Sequence, residues 1–95
     1  MLQADIQALR IDKLLWHLRL SKSRTLATRW VETGHMRVNG SRIEHAHRLI
    51  HVGDIITMPS GDDILTIRID QIPLRRGPAP EATKCYSFLS ASKSG

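Results

Sequence analysis

Apolar residues near the start of the chain follow the period of an α-helix. They recur at the i, i+3, i+4 and i+7 spacing: Ile11, Leu14, Leu15 and Leu18. This spacing predicts an amphipathic helix that buries one stripe. Asp12 falls in the first turn, where an acidic side chain stabilises the helix. Lys13 and His17 are expected on the exposed side of this helix.

A second helix is predicted from an N-cap at Ser23 to about Thr33. Four residues form its expected buried stripe: Leu26, Ala27, Trp30 and Val31. Four others are expected to face outward: Arg24, Thr28, Arg29 and Glu32. Gly34 then supplies the left-handed residue with which helices commonly end.

Alternating positions after the helices predict a hairpin. Met36 and Val38 share one face of a short strand that begins at residue 35. Asn39 and Gly40 form the pair that a type I′ turn favours, because both central residues of that turn need positive φ. The return strand is expected at Ser41–Ile43.

Two further strands are predicted, Ile55–Met58 and Asp63–Ile72, after a turn at Val52–Asp54. A turn at Pro59–Asp62 separates them, because Pro, Ser, Gly and Asp cluster there. Residues 44–50 lack a clean period and are expected to be irregular.

The ends of the chain carry weaker patterns. Residues 1–9 are an expected lead-in that frays, and Pro73 begins a Pro-rich link. Glu81–Phe88 is expected to form one helical turn or a short packed segment, and Ser90–Gly95 is expected to be disordered.

These elements predict one α+β domain over residues 10–72, followed by a link and tail over residues 73–95. In this fold, two N-terminal helices pack on a small, twisted, mainly antiparallel sheet. A length of 95 residues suits a single domain with a modest core.

The charge is unevenly distributed along the chain. The net charge is +5, and residues 10–48 hold nine Lys or Arg against three acidic residues, a net of +6. This asymmetry favours a polyanionic partner. The alternative is a basic surface that serves only solubility.

Other classes of function find less support. The sequence contains no Gly-rich phosphate loop, HExxH motif or Cys pair, so we predict no enzyme activity and no cofactor. His45, His47 and His51 lie close together without a familiar fourth ligand, so no metal site is predicted.

Cys85 stands alone, so no internal disulfide is possible, which fits a reducing compartment. No apolar run approaches the ~18 residues of a membrane span. A cytoplasmic monomer is expected.

Basic residues lie at the start of both predicted helices. This position is mildly unfavourable for the helix dipole, so the charge is interpreted as serving a ligand such as phosphate. The candidate contacts there are Arg10, Lys13, Lys22, Ser23 and Arg24. The hairpin adds Arg37, Asn39, Gly40 and Arg42.

Two of these assignments have structural alternatives. Arg24 could instead pair with Asp12 or Glu32. Trp16 could be a core residue or a platform for a nucleobase, whereas Trp30 is expected in the core.

Three segments together carry a family resemblance: Arg10–Lys13, Ser21–Arg24 and Gly34–Gly40. In this order and spacing they resemble the signature of the S-four type RNA-binding domain of small-subunit ribosomal proteins, also called the alpha-L motif. With Val52–Asp54 and the later strands, the resemblance extends to Ile72. It implies RNA contact from the helix-start residues, with Asn39 and Gly40 shaping the adjacent loop.

Two longer segments, RIDKLLWHLRLSKSR and LRRGPAPEATKCY, resemble the ribosome-associated heat shock protein fifteen family most closely. That resemblance implies binding to ribosomal RNA and to free large ribosomal subunits that carry a stalled nascent chain, in their recycling. Better-known members continue into a long basic C-terminal extension, whereas this sequence stops at Gly95. This departure puts the affinity for RNA and the full recycling role in doubt. The expectation of RNA binding does not depend on the extension.

The sequence therefore predicts a protein that grips structured RNA by its backbone. Three alternatives remain open. They are a tRNA-binding or other RNA-binding module that works with a separate modifying enzyme, a helix-turn-helix protein that binds DNA, and a protein-interaction module.

Overall fold

A computed structural model describes residues 8–93 and contains three α-helices and seven strands. The helices are α1 (Ile11–His17), α2 (Arg24–Glu32) and α3 (Ala79–Ala82). The strands are β1 (Ala8–Arg10), β2 (Met36–Val38), β3 (Ser41–Ile43), β4 (Leu49–His51), β5 (Ile55–Ser60), β6 (Asp63–Ile69) and β7 (Tyr86–Lys93). This composition confirms the predicted α+β class.

Both N-terminal helices form where the periodicity predicts them. Ser23 is the N-cap of α2, because its hydroxyl accepts a hydrogen bond from the Leu26 amide at 3.1 Å. Gly34 follows the helix with φ of +79°, as expected for a left-handed terminus. The buried stripe of α2 is narrower than predicted, because Leu26 is 48% exposed.

The expectation that His17 faces solvent is wrong. Its ring is buried, and Nδ1 lies 3.4 Å from the carbonyl oxygen of Pro73. Burial lowers the pKa of His17, and this effect outweighs the contact with that carbonyl. The chain after β6 therefore covers a face of α1 that the helical period assigned to solvent.

Five strands form one antiparallel sheet in the order β3-β2-β5-β6-β7. The β2–β3 hairpin turns at Asn39 and Gly40, whose φ values of 52° and 84° match the predicted type I′ turn. The second hairpin turns later than predicted. Pro59 and Ser60 continue β5 and pair with Ile64 and Asp63.

A second, two-stranded sheet was missed by the sequence pattern. β1 pairs antiparallel with β4, with Arg10 opposite Leu49. The lead-in thus contains a strand at its end, and the segment expected to be irregular contains most of β4. The three-residue strands β1 and β4 are far apart in the chain and lack a shared turn signal such as Asn39-Gly40, so only their pairing reveals them. Residues 1–7 lie outside the described residues.

The C-terminal segment is more ordered than expected. β7 pairs with β6 from Tyr86 to Lys93, with a register shift opposite Thr66 and Ile67. The prediction of disorder is therefore wrong for residues 90–93, while Ser94 and Gly95 lie outside the described residues. β6 ends at Ile69, three residues earlier than predicted.

The core lies between the helices and one face of the larger sheet. Its fully buried side chains include Leu14 and Leu15 from α1, Val31 from α2, and Ile56 and Ile67 from the sheet. Packing of these stripes brings the starts of α1 and α2 together. Within residues 8–93, no helix is long and apolar enough to cross a membrane.

Candidate nucleic-acid interface

A buried carboxylate connects the starts of α1 and α2. Asp12 is 1% exposed, and it accepts hydrogen bonds from Arg10 Nε at 3.1 Å and Arg10 Nη2 at 2.9 Å. The Lys13 amide donates to it at 2.7 Å and the Thr28 hydroxyl at 3.1 Å. Arg24 Nε lies 3.8 Å from the same carboxylate. One acidic side chain thus organises groups from both helices.

The surroundings of Asp12 keep it ionised. Burial raises the pKa of this carboxyl, but the hydrogen bonds from Arg10, Thr28 and the Lys13 amide lower it further than burial raises it. The resulting negative charge orients the Arg10 guanidinium through two hydrogen bonds and attracts the guanidinium of Arg24. Asp12 lies in the first turn of α1, as predicted, and its link to α2 is additional.

Arg10 and Arg24 face the carboxylate on one side and solvent on the other. Their side chains remain 46% and 44% exposed. Because a guanidinium has five N–H donors, each keeps donors for an external anion. Pairing of Arg24 with Asp12, left open by the sequence, therefore does not prevent Arg24 from binding phosphate.

We define the basic cluster as Arg10, Lys13, Lys22 and Arg24. Lys22 is exposed and Lys13 is half-buried. Against the Asp12 carboxylate, the four cations leave a local net charge of +3. A surface of this charge at the junction of two helices attracts polyanions.

The backbone at the start of α1 is already hydrogen-bonded within the protein. The Ile11 amide donates to the Arg48 carbonyl at 2.8 Å, and the Asp12 amide donates to the Ala46 carbonyl at 3.3 Å. The Lys13 amide bonds to the Asp12 side chain. These three amides are therefore not free to bind an anion, and the side chains of the basic cluster are the available donors there.

Asn39 supports the hairpin from within. Its Oδ1 accepts from the Ile55 amide at 2.9 Å, and its Nδ2 donates to Asp54 Oδ1 at 3.0 Å. These bonds tie the β2–β3 turn to the start of β5. They fit the loop-shaping role that the family resemblance implies for Asn39. Both polar atoms of its side chain are used within the protein, so other hairpin residues are better candidates for direct contact with RNA.

Arg37 and Arg42 lie side by side on the exposed face of the β2–β3 hairpin, because they are cross-strand partners. Arg37 Nη1 donates to the Gly40 carbonyl at 3.3 Å, and Arg42 Nη2 donates to Glu44 at 3.0 Å. The hairpin thus carries a second basic surface, separate in the chain from the basic cluster.

Sequence reasoning missed several supporting contacts. Thr28 was placed on the outward face of α2, yet it bonds to Asp12. Trp16 is partly exposed, and the Arg76 guanidinium lies 5.7 Å from the centre of its ring. Arg19 Nε donates to the Gly77 carbonyl at 2.6 Å. In the sequence, the Trp16–Arg76 contact is signalled only by the basic pair at residues 75 and 76, which lies in the Pro-rich link.

Several known proteins are similar to this chain. The S4 domain family matches residues 9–56. Heat shock protein 15 of Escherichia coli K12 is 33% identical over 83 residues, which cover 87% of this chain and 62% of that protein. The RQC P-site tRNA stabilizing factor of Bacillus subtilis 168 is 30% identical over 87 residues, which cover 92% of this chain and 99% of that protein.

A solved structure shares the fold. Trimeric Heat Shock Protein 15 of Vibrio cholerae superimposes with a TM-score of 0.81 at 37% identity, covering 88% of this chain and 84% of that one. The chain spans about three fifths of the length of the Escherichia coli relative, 62% by alignment.

Proposed function

The chain belongs to the S4 domain family, and on that premise we propose that it binds structured RNA, with ribosomal RNA as the main candidate. The basic cluster grips phosphates at the helix junction, together with the Ser23 hydroxyl. Arg37 and Arg42 contact the RNA backbone at a separate position. Asn39 and Gly40 maintain the shape of the β2–β3 hairpin. This is a binding role without catalysis.

The observation that carries the proposal is the arrangement around Asp12. A buried, ionised carboxylate holds Arg10 at 2.9 Å and Arg24 at 3.8 Å, with both guanidinium groups half exposed. Pre-oriented guanidiniums bind phosphate with two parallel N–H bonds and lose less freedom on binding. Such contacts position RNA by its backbone and carry little sequence information.

The names of relatives support a ribosomal setting. They include Heat shock protein 15, small ribosomal subunit protein uS4 of Opitutus terrae, and the RQC P-site tRNA stabilizing factor. We propose association with the large ribosomal subunit, in heat shock or in recycling of stalled ribosomes. A cytoplasmic monomer remains our prediction for this chain, although the Vibrio cholerae protein is trimeric.

A second candidate partner is tRNA. The Bacillus subtilis relative, whose name specifies P-site tRNA, is matched over nearly its full length. This chain would then hold a tRNA, either at the ribosome or for a separate modifying enzyme. Duplex DNA is a weaker candidate, because the basic cluster is arranged for backbone contact and offers no recognition helix for base reading.

RNA affinity should depend steeply on salt. For about five phosphate contacts, the slope of log K against log salt is roughly −3.5, so affinity for deproteinised ribosomal RNA should fall ~100-fold between about 50 and 200 mM salt. Filter binding measures this change. Duplex DNA in equal mass is the matched competitor. Affinity that does not change with salt, or preferential displacement by DNA, would contradict the proposal.

Sedimentation tests the proposed ribosomal partner. A tagged copy of the full chain, added to bacterial lysate, should co-sediment with free large subunits on a sucrose gradient, because contacts to phosphate survive at low salt. The control is a variant that lacks two cations of the basic cluster, Lys13→Gln/Arg24→Gln, which should stay near the top. Recovery with small subunits or with free tRNA would assign a different partner.

A further inference from the structure

A groove of about 880 Å³ opens beside the connection from β3 to β4. The residues that matter for its chemistry are Arg42, His45, His47, Arg48, Leu49 and His51. It lies outside the basic cluster, and none of its histidines or Arg48 was assigned an RNA contact by sequence reasoning. Its size is that of a pocket for a small organic group.

Two imidazole rings form a flat surface in this groove. The ring centroids of His45 and His47 are 5.3 Å apart, with an angle of 15° between the planes, so the rings stack. Both residues are exposed. A turn in which the Arg48 amide donates to the His45 carbonyl at 3.1 Å holds them in place. Aromatic side chains that include His serve as stacking platforms for unpaired bases.

Arg48 supplies the positive charge of the groove. Arg42 pairs with Glu44 at 3.0 Å, and Asp54 accepts a hydrogen bond from the His51 amide at 2.8 Å. Burial raises the pKa of Asp54, but its hydrogen bonds and the nearby charge of Arg48 lower it further. Arg48 is exposed and, among the described residues, forms no ion pair with a carboxylate. Its guanidinium is therefore the group best placed to take a phosphate.

The groove adjoins the basic cluster. Arg10 is the cross-strand partner of Leu49, which lines the groove, so their side chains lie on the same face of the β1–β4 pair. The carbonyls of Ala46 and Arg48 also accept hydrogen bonds from the first amides of α1. A nucleic-acid backbone held at Arg10 can continue directly into the groove.

We propose that the groove binds an unpaired nucleotide of the RNA held by the basic cluster. The base stacks on the exposed face of the His45–His47 pair, and an adjoining phosphate pairs with Arg48. This inference rests on the proposed function and adds a preference for RNA with unpaired nucleotides. A metal role is not supported, because within residues 8–93 no three His, Cys, Asp or Glu side chains are placed to hold an ion.

The test compares two RNA probes of equal length, a hairpin with an unpaired loop and a fully paired duplex. The variant is His45→Ala/His47→Ala, measured near pH 8. We expect it to bind the hairpin ~10-fold more weakly, because base stacking on an aromatic residue contributes on that scale. Its duplex affinity and its salt slope on the hairpin should match those of the wild-type protein. His35→Ala, an exposed histidine outside the groove, is the matched control.

Arg48→Gln gives a different signature. This variant should bind the RNA hairpin more weakly. It should also reduce the magnitude of the slope of log K against log salt by about one, because one phosphate contact is lost. Lys84→Gln controls for the loss of one charge. Thermal unfolding of all variants should stay near that of the wild type, since the substituted side chains are exposed.

The outcomes distinguish failure of the proposed RNA function from failure of the groove proposal. If wild-type protein binds neither probe, the proposed RNA function is wrong. If it binds both and the double-histidine variant binds the hairpin equally well, the groove proposal alone is overturned. Equal losses on hairpin and duplex would also overturn it, since stacking requires an unpaired base.

Discussion

Replacing Asp12 by alanine is expected to lower the free energy of unfolding by about 2–3 kcal/mol, less than the roughly 3–5 kcal/mol that breaking a fully buried ion pair costs, because both arginines can rehydrate. For a domain of this size, that corresponds to a fall of roughly 10–20 °C in melting temperature. The variant loses the hydrogen bonds to Arg10, Thr28 and the Lys13 amide together. Thermal unfolding followed by circular dichroism measures the change.

The same variant should also bind RNA more weakly, although it removes a negative charge. Net charge alone would predict tighter binding. We expect the reverse, because Arg10 and Arg24 lose the carboxylate that orients them. Glu44→Ala is the matched control, since it removes an exposed carboxylate paired with Arg42. Tighter RNA binding by both variants would show that Asp12 has no orienting role.

The contribution of Asp12 should disappear in acid. Its pKa is lowered in the folded protein, because the hydrogen bonds to the carboxylate outweigh burial. Its stabilisation is therefore fully present above the unfolded-state pKa of about 3.9 and is lost as pH falls through the lower folded-state pKa. The stability difference between wild type and Asp12→Ala should thus be constant near neutrality and shrink at strongly acidic pH. A difference that grows in acid would contradict this assignment.

Removing two cations of the basic cluster should weaken RNA binding much more than stability. We expect Lys13→Gln/Arg24→Gln to lose ~100-fold in affinity for ribosomal RNA and to reduce the magnitude of the salt slope by about 1.5, because two phosphate contacts disappear. Arg10 keeps both of its hydrogen bonds to Asp12 in this variant, so the buried carboxylate stays paired. Its melting temperature should change by only a few degrees.

The control for this variant is Arg75→Gln/Lys84→Gln, which removes the same charge from the C-terminal segment. Arg75 pairs with exposed Glu81, and such surface pairs contribute little to stability. If the control loses as much RNA affinity, the effect follows net charge and not the basic cluster. If the cluster variant chiefly unfolds, Lys13 or Arg24 is structural.

Local features of the fold followed from the sequence because neighbouring residues determine them. The helical stripe of α1, the Ser23 cap, the left-handed Gly34 and the Asn39-Gly40 turn all depend on contacts within a few residues. The cations of the basic cluster could be named for the same reason. They lie at helix starts, where their positions are visible in the chain.

What only the tertiary structure decided involves residues distant in sequence. Asp12 meets Thr28 across sixteen positions, Arg10 pairs opposite Leu49, and Pro73 covers His17. No local pattern encodes such contacts, because each depends on how the helices and strands pack. Packing also ties the first α1 amides to loop carbonyls, so the side chains of the basic cluster, and not these amides, are left to donate to a ligand. The sequence by itself determined which charges the site contains, and the fold decided how a buried carboxylate holds them.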